Sequence, residues 1–177
     1  DPAEDRLRHA LAVSGMGIVD HDLVADTVYC SPEMLAIYGW AEPRAISLQT
    51  FIDHTHPEDR ELVQSAIGRS RDPAGDGRFE LEYRIVRSDG AVRWISVRAR
   101  RHFVGEGDAR RAVRMIGSAI DVTERREAAD LLREREASLR RSERLAGIGY
   151  FAVDGKGDTV MSSEGNNRIW GFPADAV

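Results

Sequence analysis

Phe79-Glu80-Leu81-Glu82-Tyr83-Arg84-Ile85 alternates apolar and charged side chains without a break. Period two marks a half-buried β-strand, because successive side chains leave opposite faces of a sheet. Asp89-Gly90 follows, a pair favoured in hairpin turns because both residues accept positive φ. Val92 to Phe103 then reads as the returning strand, and Arg110 to Asp121 as a third long strand after the turn Gly105-Glu106-Gly107-Asp108. The alternation assigns an inward face to Phe79, Leu81, Tyr83, Ile85, Ile95, Val97, Ala99, Val113, Met115, Gly117 and Ala119. Trp94, Ile116 and Ile120 fall on the opposite face.

Upstream of this sheet the elements are shorter. Residues 4–13 have Leu7, Ala10 and Leu11 on one helical face, and Gly15 and Gly17 break the pattern. Met16 to Asp22 and Thr27 to Cys30 read as two short strands around a polar turn. Ser31-Pro32-Glu33 has the chemistry of a helix start, namely a hydroxyl cap, proline in the first turn and an acid near the positive end. Met34, Leu35, Ile37 and Tyr38 follow at helical spacing, and Gly39 ends the helix. His56-Pro57-Glu58-Asp59-Arg60 repeats that start, with Leu62, Val63, Ala66 and Ile67 as its apolar stripe. Two short strands, short helices and three long antiparallel strands predict an α+β fold with helices on one face of the sheet.

The tail repeats the head at a shift of 132 residues. Gly15-Met16-Gly17-Ile18-Val19 falls on Gly147-Ile148-Gly149-Tyr150-Phe151, Ser31 on Ser163, and Ile37-Tyr38-Gly39-Trp40 on Ile169-Trp170-Gly171-Phe172. The second copy ends with most of the first copy's plan still to run, and both ends of the chain read as cuts in a longer protein. The expected organisation is a flanking helix over 1–13, a domain over 14–123, a helical connector over 124–146, and the start of a second domain over 147–177.

Composition narrows the function classes. The chain has 177 residues, is 42% hydrophobic and 31% charged, and carries a formal net charge of −5, an ordinary globular profile. Arginines after Asp121 are interleaved with acids, so no nucleic-acid footprint is expected. Cys30 is the single cysteine, which rules out an internal disulfide and fits a reduced, cytoplasmic setting. No apolar run approaches membrane-spanning length, so no membrane contact is expected of this segment. His54 and His56 lie near Asp53, Glu58 and Asp59, a composition compatible with metal, but His56-Pro57 is better explained as helix-start chemistry and no metal site is assigned. No phosphate loop or supported catalytic set is present, so no catalytic residue is assigned.

The words Tyr38-Gly39-Trp40, His56-Pro57-Glu58-Asp59, Glu82-Tyr83-Arg84 with Ser88-Asp89-Gly90, Arg93-Trp94-Ile95, and Gly117-Ser118-Ala119-Ile120-Asp121-Val122-Thr123-Glu124-Arg125 occur in the order and spacing of a known family. In this the chain resembles PAS domains with a PAC-type ending, over about residues 10–125 and again over 145–177. The resemblance implies a five-stranded antiparallel sheet curled over a small cavity, which senses a ligand, cofactor or partner. It also implies a dimeric bacterial sensor protein whose output domain lies further along the chain, a histidine kinase first and a diguanylate cyclase or phosphodiesterase as the alternative.

Within that resemblance the inward residues named above are the candidate cavity lining, with Ala99, Gly117 and Ala119 small enough to leave room; a filled core and a ligand-free dimerisation scaffold stay open beside it. Asp121, Val122 and Thr123 match the joint that carries sheet movement into the output helix, although plain helix capping explains the same residue types. Leu7, Leu11, Trp94, Ile116, Ile120, Leu132 and Leu139 are the candidate dimer or partner face. Leu132, Leu139 and Ala146 share one heptad position and Ala128, Arg135 and Ser142 the other, a weak seam as a parallel homodimer, with a single solvated helix as the other reading. Haem-binding relatives carry a histidine on the helix before the long strands, and none lies between Leu62 and Arg71. Covalent flavin photochemistry needs a cysteine in an Asn-Cys-Arg-Phe-like helix, whereas Cys30 ends a strand. The cofactor is therefore unknown, with non-covalent flavin or a small metabolite left open.

Overall fold

The structure, a computed structural model, describes residues 2–41 and 46–173, without the side chains of residues 2–4, Leu7 and Arg8. Leu7, named for the partner face, thus lies outside the described side chains. The chain forms two compact units, Asp1–Arg126 and Glu127–Val177. The first holds α1 (Pro2–Ser14), β1 (Gly17–Asp22), β2 (Thr27–Cys30), α2 (Pro32–Tyr38), α3 (Leu48–Asp53), α4 (Arg60–Arg71), β3 (Arg78–Val86), β4 (Val92–Val104), β5 (Arg111–Asp121) and the start of α5 (Thr123–Ala146). The second holds the rest of α5, then β6 (Phe151–Val153), β7 (Thr159–Ser162) and α6 (Glu164–Trp170). No described helix is long and apolar enough to cross a membrane.

The five strands of the first unit run in the order β2-β1-β5-β4-β3, each antiparallel to its neighbour. The last strand in sequence thus inserts beside the first. α2 rests on β1 with almost no gap: a Cβ built on Gly17 would stand 2.6 Å from the Met34 Cα. Ser31 locks this approach, its hydroxyl accepting from Met34 N–H at the helix start and from Ile18 N–H of β1 at 3.0 Å. Gly39 closes α2 at φ 70°, in the left-handed region that glycine adopts without strain.

Two elements depart from the sequence expectation. α3 was not expected; Ser47 and Thr50 start it with a reciprocal capping box, each hydroxyl accepting from the other's backbone N–H. α4 begins later than its start chemistry suggested, because Pro57–Asp59 takes one 3-10 turn first. Its buried face is Val63, Ala66 and Ser70, so Leu62 leaves the expected stripe and is 50% exposed.

Asp59 fastens the start of α4 to β3. Its carboxylate accepts from Arg84 backbone N–H at 2.8 Å and from the Arg84 guanidinium at 2.6 and 3.1 Å. Those Arg84 hydrogen bonds hold the Asp59 carboxyl below the usual carboxylate range. The core above the sheet centres on Tyr38, Ile85, Ile95 and Ala119, none more than 1% exposed.

The second unit repeats this start bond for bond. Ser163 accepts from Asn166 N–H and from Tyr150 N–H, as Ser31 does from Met34 and Ile18. A Cβ on Gly149 would stand 2.2 Å from the Asn166 backbone, and Gly171 ends α6 at φ 75°. Here, however, Ile169, Trp170 and Phe172 are 59–68% exposed.

These contacts set two expected outcomes. Gly17→Ala should cost about 1–3 kcal/mol by overpacking, whereas Gly68→Ala, with open space around it, should stabilise by about 0.5–1 kcal/mol; urea unfolding of both variants checks the pair. Asp59 has a lowered folded pKa, so its stabilisation is fully present above the unfolded value of about 3.9 and is lost as pH falls through the lower folded value. Asp59→Asn should therefore unfold more easily than the native chain at pH 7, with the gap closing in acid.

Candidate functional site

The inward faces of β1, β3, β4 and β5 and the undersides of α2, α3 and α4 enclose a cavity of about 70 Å3. Register explains which sheet residues reach it. Phe79 lies opposite Ala99, and Val97 opposite Ala119, so these four share one face of the sheet with Tyr83 and Met115. All six border the cavity, with Met34 and Tyr38 of α2 and Phe51 and Ile52 of α3 across from them.

The other residues expected at a cavity wall do not border it. Ile85 and Ile95 are fully buried in the core and are not at the cavity wall, and Leu81 is half-buried against that core. Gly117 leaves no room, because a Cβ there would already meet Ala99 Cβ at 2.9 Å and Val19 Cγ1 at 3.2 Å. Val113 is skipped where the β4–β5 register shifts, with His102 opposite Arg114 and Phe103 opposite Ala112; the alternation through it was counted as if the ladder had no bulge.

Arg101 borders the cavity and was not among the sequence candidates. It continues the inward frame Ile95, Val97, Ala99 by one further step, and counting that frame through the charge would have found it. The residue is only 6% exposed. Its Nε donates to Ser70 Oγ at 3.3 Å, and that hydroxyl donates to Ile67 O at 2.8 Å. Burial, and then the nearby Arg71, pushes its pKa below the ordinary arginine value. Tyr83, also at the wall, is pushed up to about 12 by burial and stays neutral.

His54 and His56 are used structurally. His54 Nδ1 lies 2.9 Å from Thr50 O as the donor, and Nε2 accepts from the Trp40 indole at 3.2 Å, which seats Trp40 in a stack with Tyr38 at 4.5 Å between centroids. His56 Nδ1 accepts from Glu58 N–H. Among the described residues no cluster has the makings of a metal site. Burial pushes the Cys30 thiol up to about 11, the opposite of an activated thiolate.

At the far end of the sheet β5 passes into α5. Val122 N–H donates to Trp94 O at 2.8 Å, and the Thr123 hydroxyl accepts from Trp94 N–H at 2.9 Å. Thr123 therefore ties the helix to the start of β4 instead of capping it, and it is Asp121 that accepts from Thr123 N–H at 2.9 Å. Glu82 of β3 then binds the first turn of α5 through Arg126 at 2.6 and 3.0 Å and Arg125 at 2.8 Å, bonds that hold its carboxyl below the usual range.

Trp94 was expected, with Ile116 and Ile120, on the dimer or partner face. It is instead covered by its own chain, with the Arg126 guanidinium 4.0 Å and that of Arg84 5.5 Å from the ring centroid. Ile116 is 40% exposed and Ile120 half-buried, and Ser96, Ser118, Arg98 and Arg100 share their region of the face, so no continuous patch forms. Leu11 is half-buried, while Leu132 and Leu139 of α5 are 59% and 57% exposed.

Comparison with known proteins agrees with this geometry. The chain is 32% identical over 153 residues to a blue-light-activated histidine kinase of Brucella anthropi and 28% identical over 158 residues to the sensor protein FixL of Bradyrhizobium diazoefficiens. These alignments take in 85% and 89% of this chain but only 29% and 30% of the relatives, so the chain spans under a third of their length. A crystal structure of a sensory box histidine kinase/response regulator from Burkholderia thailandensis superposes with a TM-score of 0.60 at 28% identity, covering 77% of this chain and 98% of that one. The family model for the PAS fold matches residues 27–119, from β2 into β5, and the chain belongs to the PAS family.

Proposed function

We propose that this chain is the sensory and signal-relay part of a sensor histidine kinase. Residues 14–123 respond to a small ligand, cofactor or partner state, and Asp121, Val122 and Thr123 pass the response into α5. The observation that carries this reading is the pair of hydrogen bonds between the joint and Trp94, Val122 N–H donating to Trp94 O and Trp94 N–H donating to the Thr123 hydroxyl, at the start of the strand that also walls the cavity. A strand that moves against its neighbours takes the first turn of α5 with it. The histidine kinases among the relatives support the choice of output. No catalytic step falls to residues 1–177, and the kinase reaction belongs to another part of the parent protein, in the cytoplasm.

On the same reading Gly117 to Arg125 is a PAC-type ending, residues 124–146 form a parallel helix pair with a second copy, and residues 147–177 open a second PAS domain. Support for the pairing comes from Leu132 and Leu139, seven residues apart and both exposed on α5. Support for the second domain comes from the repeated serine lock and glycine contact described above.

Two measurements test the relay. A one-residue insertion after Glu134 turns everything beyond it by about 100°, and basal autophosphorylation of the full-length protein should change severalfold, while a seven-residue insertion restores it. Equal activity at every linker length would remove α5 as the relay. Leu132→Glu with Leu139→Glu should shift the chain from dimer to monomer in sedimentation velocity at micromolar concentration, with its melting temperature little changed. A native chain that sediments as a monomer would exclude the helix pair.

A further inference from the structure

The cavity is apolar along its length and cationic at one end. Among the described residues no carboxylate borders it, and Arg101 makes no ion pair. Its Nε is taken by Ser70, while neither terminal amino group has a protein acceptor among the described residues. The other polar groups at the wall are neutral hydroxyls that already have partners: Thr55 donates to Phe51 O at 3.2 Å, Ser70 donates to Ile67 O, and Tyr38 and Tyr83 hydrogen-bond to each other. A largely buried guanidinium without a counter-charge is unfavourable, and the nearby cation Arg71 adds to that. A core that served packing alone would hold a leucine or methionine at this position.

We infer that Arg101 makes this cavity a binding site for a short-chain monocarboxylate, its carboxylate on the guanidinium and its alkyl chain among Val97, Ala99, Phe79 and Met115. The inference rests on the sensory reading above and names the ligand class for it. The planar guanidinium offers two parallel donors that match the two carboxylate oxygens. A second carboxylate would meet no second cation among the described residues of the wall, which selects a monoacid. Volume sets the length: about 70 Å3 holds about five water-sized positions, so an acid of about four to six carbons fills it. Flavin and haem need several times that space.

The test is calorimetric titration of the native 177-residue chain with butyrate, pentanoate, hexanoate and octanoate, the matching primary amides, and nitrate. Affinity should rise with chain length to about six carbons and then stop rising, and each amide should bind at least about tenfold more weakly than its acid, the loss of one charge-assisted pair. Arg101→Met should lose the preference for acid over amide and stay folded, since an apolar residue of similar length replaces a buried charge. Ser70→Ala keeps the guanidinium and should keep the preference. The inference is overturned by equal binding of acids and amides, by binding of nitrate without a chain-length effect, by acid binding that survives Arg101→Met, or by no heat at millimolar acid. Should Arg101→Met not fold, the acid and amide series on the native chain still decides. Binding is read without any output, so its failure leaves the linker-insertion result standing, and failure of the insertion result leaves the ligand class standing.

Discussion

The register of β4 against β5, with Val97 opposite Ala119 and Ala99 opposite Gly117, is the constraint on which both candidate sites depend. A slip of one residue would send every inward side chain to solvent. Held as it is, the register places small residues in the middle of the inner face and the larger Phe79, Tyr83 and Met115 around them. The same ladder ends with Ile95 opposite Asp121, which brings Trp94 within hydrogen-bonding reach of Val122 and Thr123. Cavity and joint are thus two ends of one pairing. Gly117 is what allows it to be tight, since any side chain there would strike Ala99 across the ladder.

The α+β architecture and the long strands were legible because their signal is local. Alternation over Phe79–Ile85 and the Asp89-Gly90 turn need no knowledge of anything distant. The caps were legible for the same reason, and Ser31-Pro32-Glu33 forms the helix start its chemistry describes. What sequence reading missed was set by contacts between distant residues. Trp94 is a hydrophobic residue at an outward position, and nothing nearby in sequence says that Arg126 will lie over it. Val113 was counted through a register shift that leaves no turn residue in the sequence to mark it. Arg101 was passed over for another reason: the inward frame was followed only as long as it stayed apolar.

The two units separate local from global determinants. Gly15, Gly17, Ser31 and Gly39 have counterparts in Gly147, Gly149, Ser163 and Gly171 with the same caps, the same close approach and nearly the same φ values. A hairpin and a helix can therefore be specified within about thirty residues. Burial is not specified in this way. Ile37, Tyr38 and Trp40 are core because Phe51, His54, Ile85 and Ile95 stand against them, whereas Ile169, Trp170 and Phe172 carry the same hydrophobic character on the surface. Local chemistry shapes the elements, and the long strands turn that shape into a core.

β4 also explains how a cavity this small can matter to a helix outside it. From Arg101 to Trp94 is seven residues, about 24 Å of extended strand. Both edges of β4 are hydrogen-bonded over most of that length, to β3 on one side and β5 on the other. Such a strand resists bending within the sheet and shifts as a body. On the proposed reading, a ligand at the Arg101 end biases the position of β4, and the start of α5 follows because Trp94 and Glu82 hold it. Coupling of this kind needs an element with two nearly balanced positions rather than a chain of contacts. The side chains around Trp94 suit that role: two guanidinium groups and Glu82 form a partly exposed ionic cover, which can rearrange at smaller cost than a close-packed apolar one.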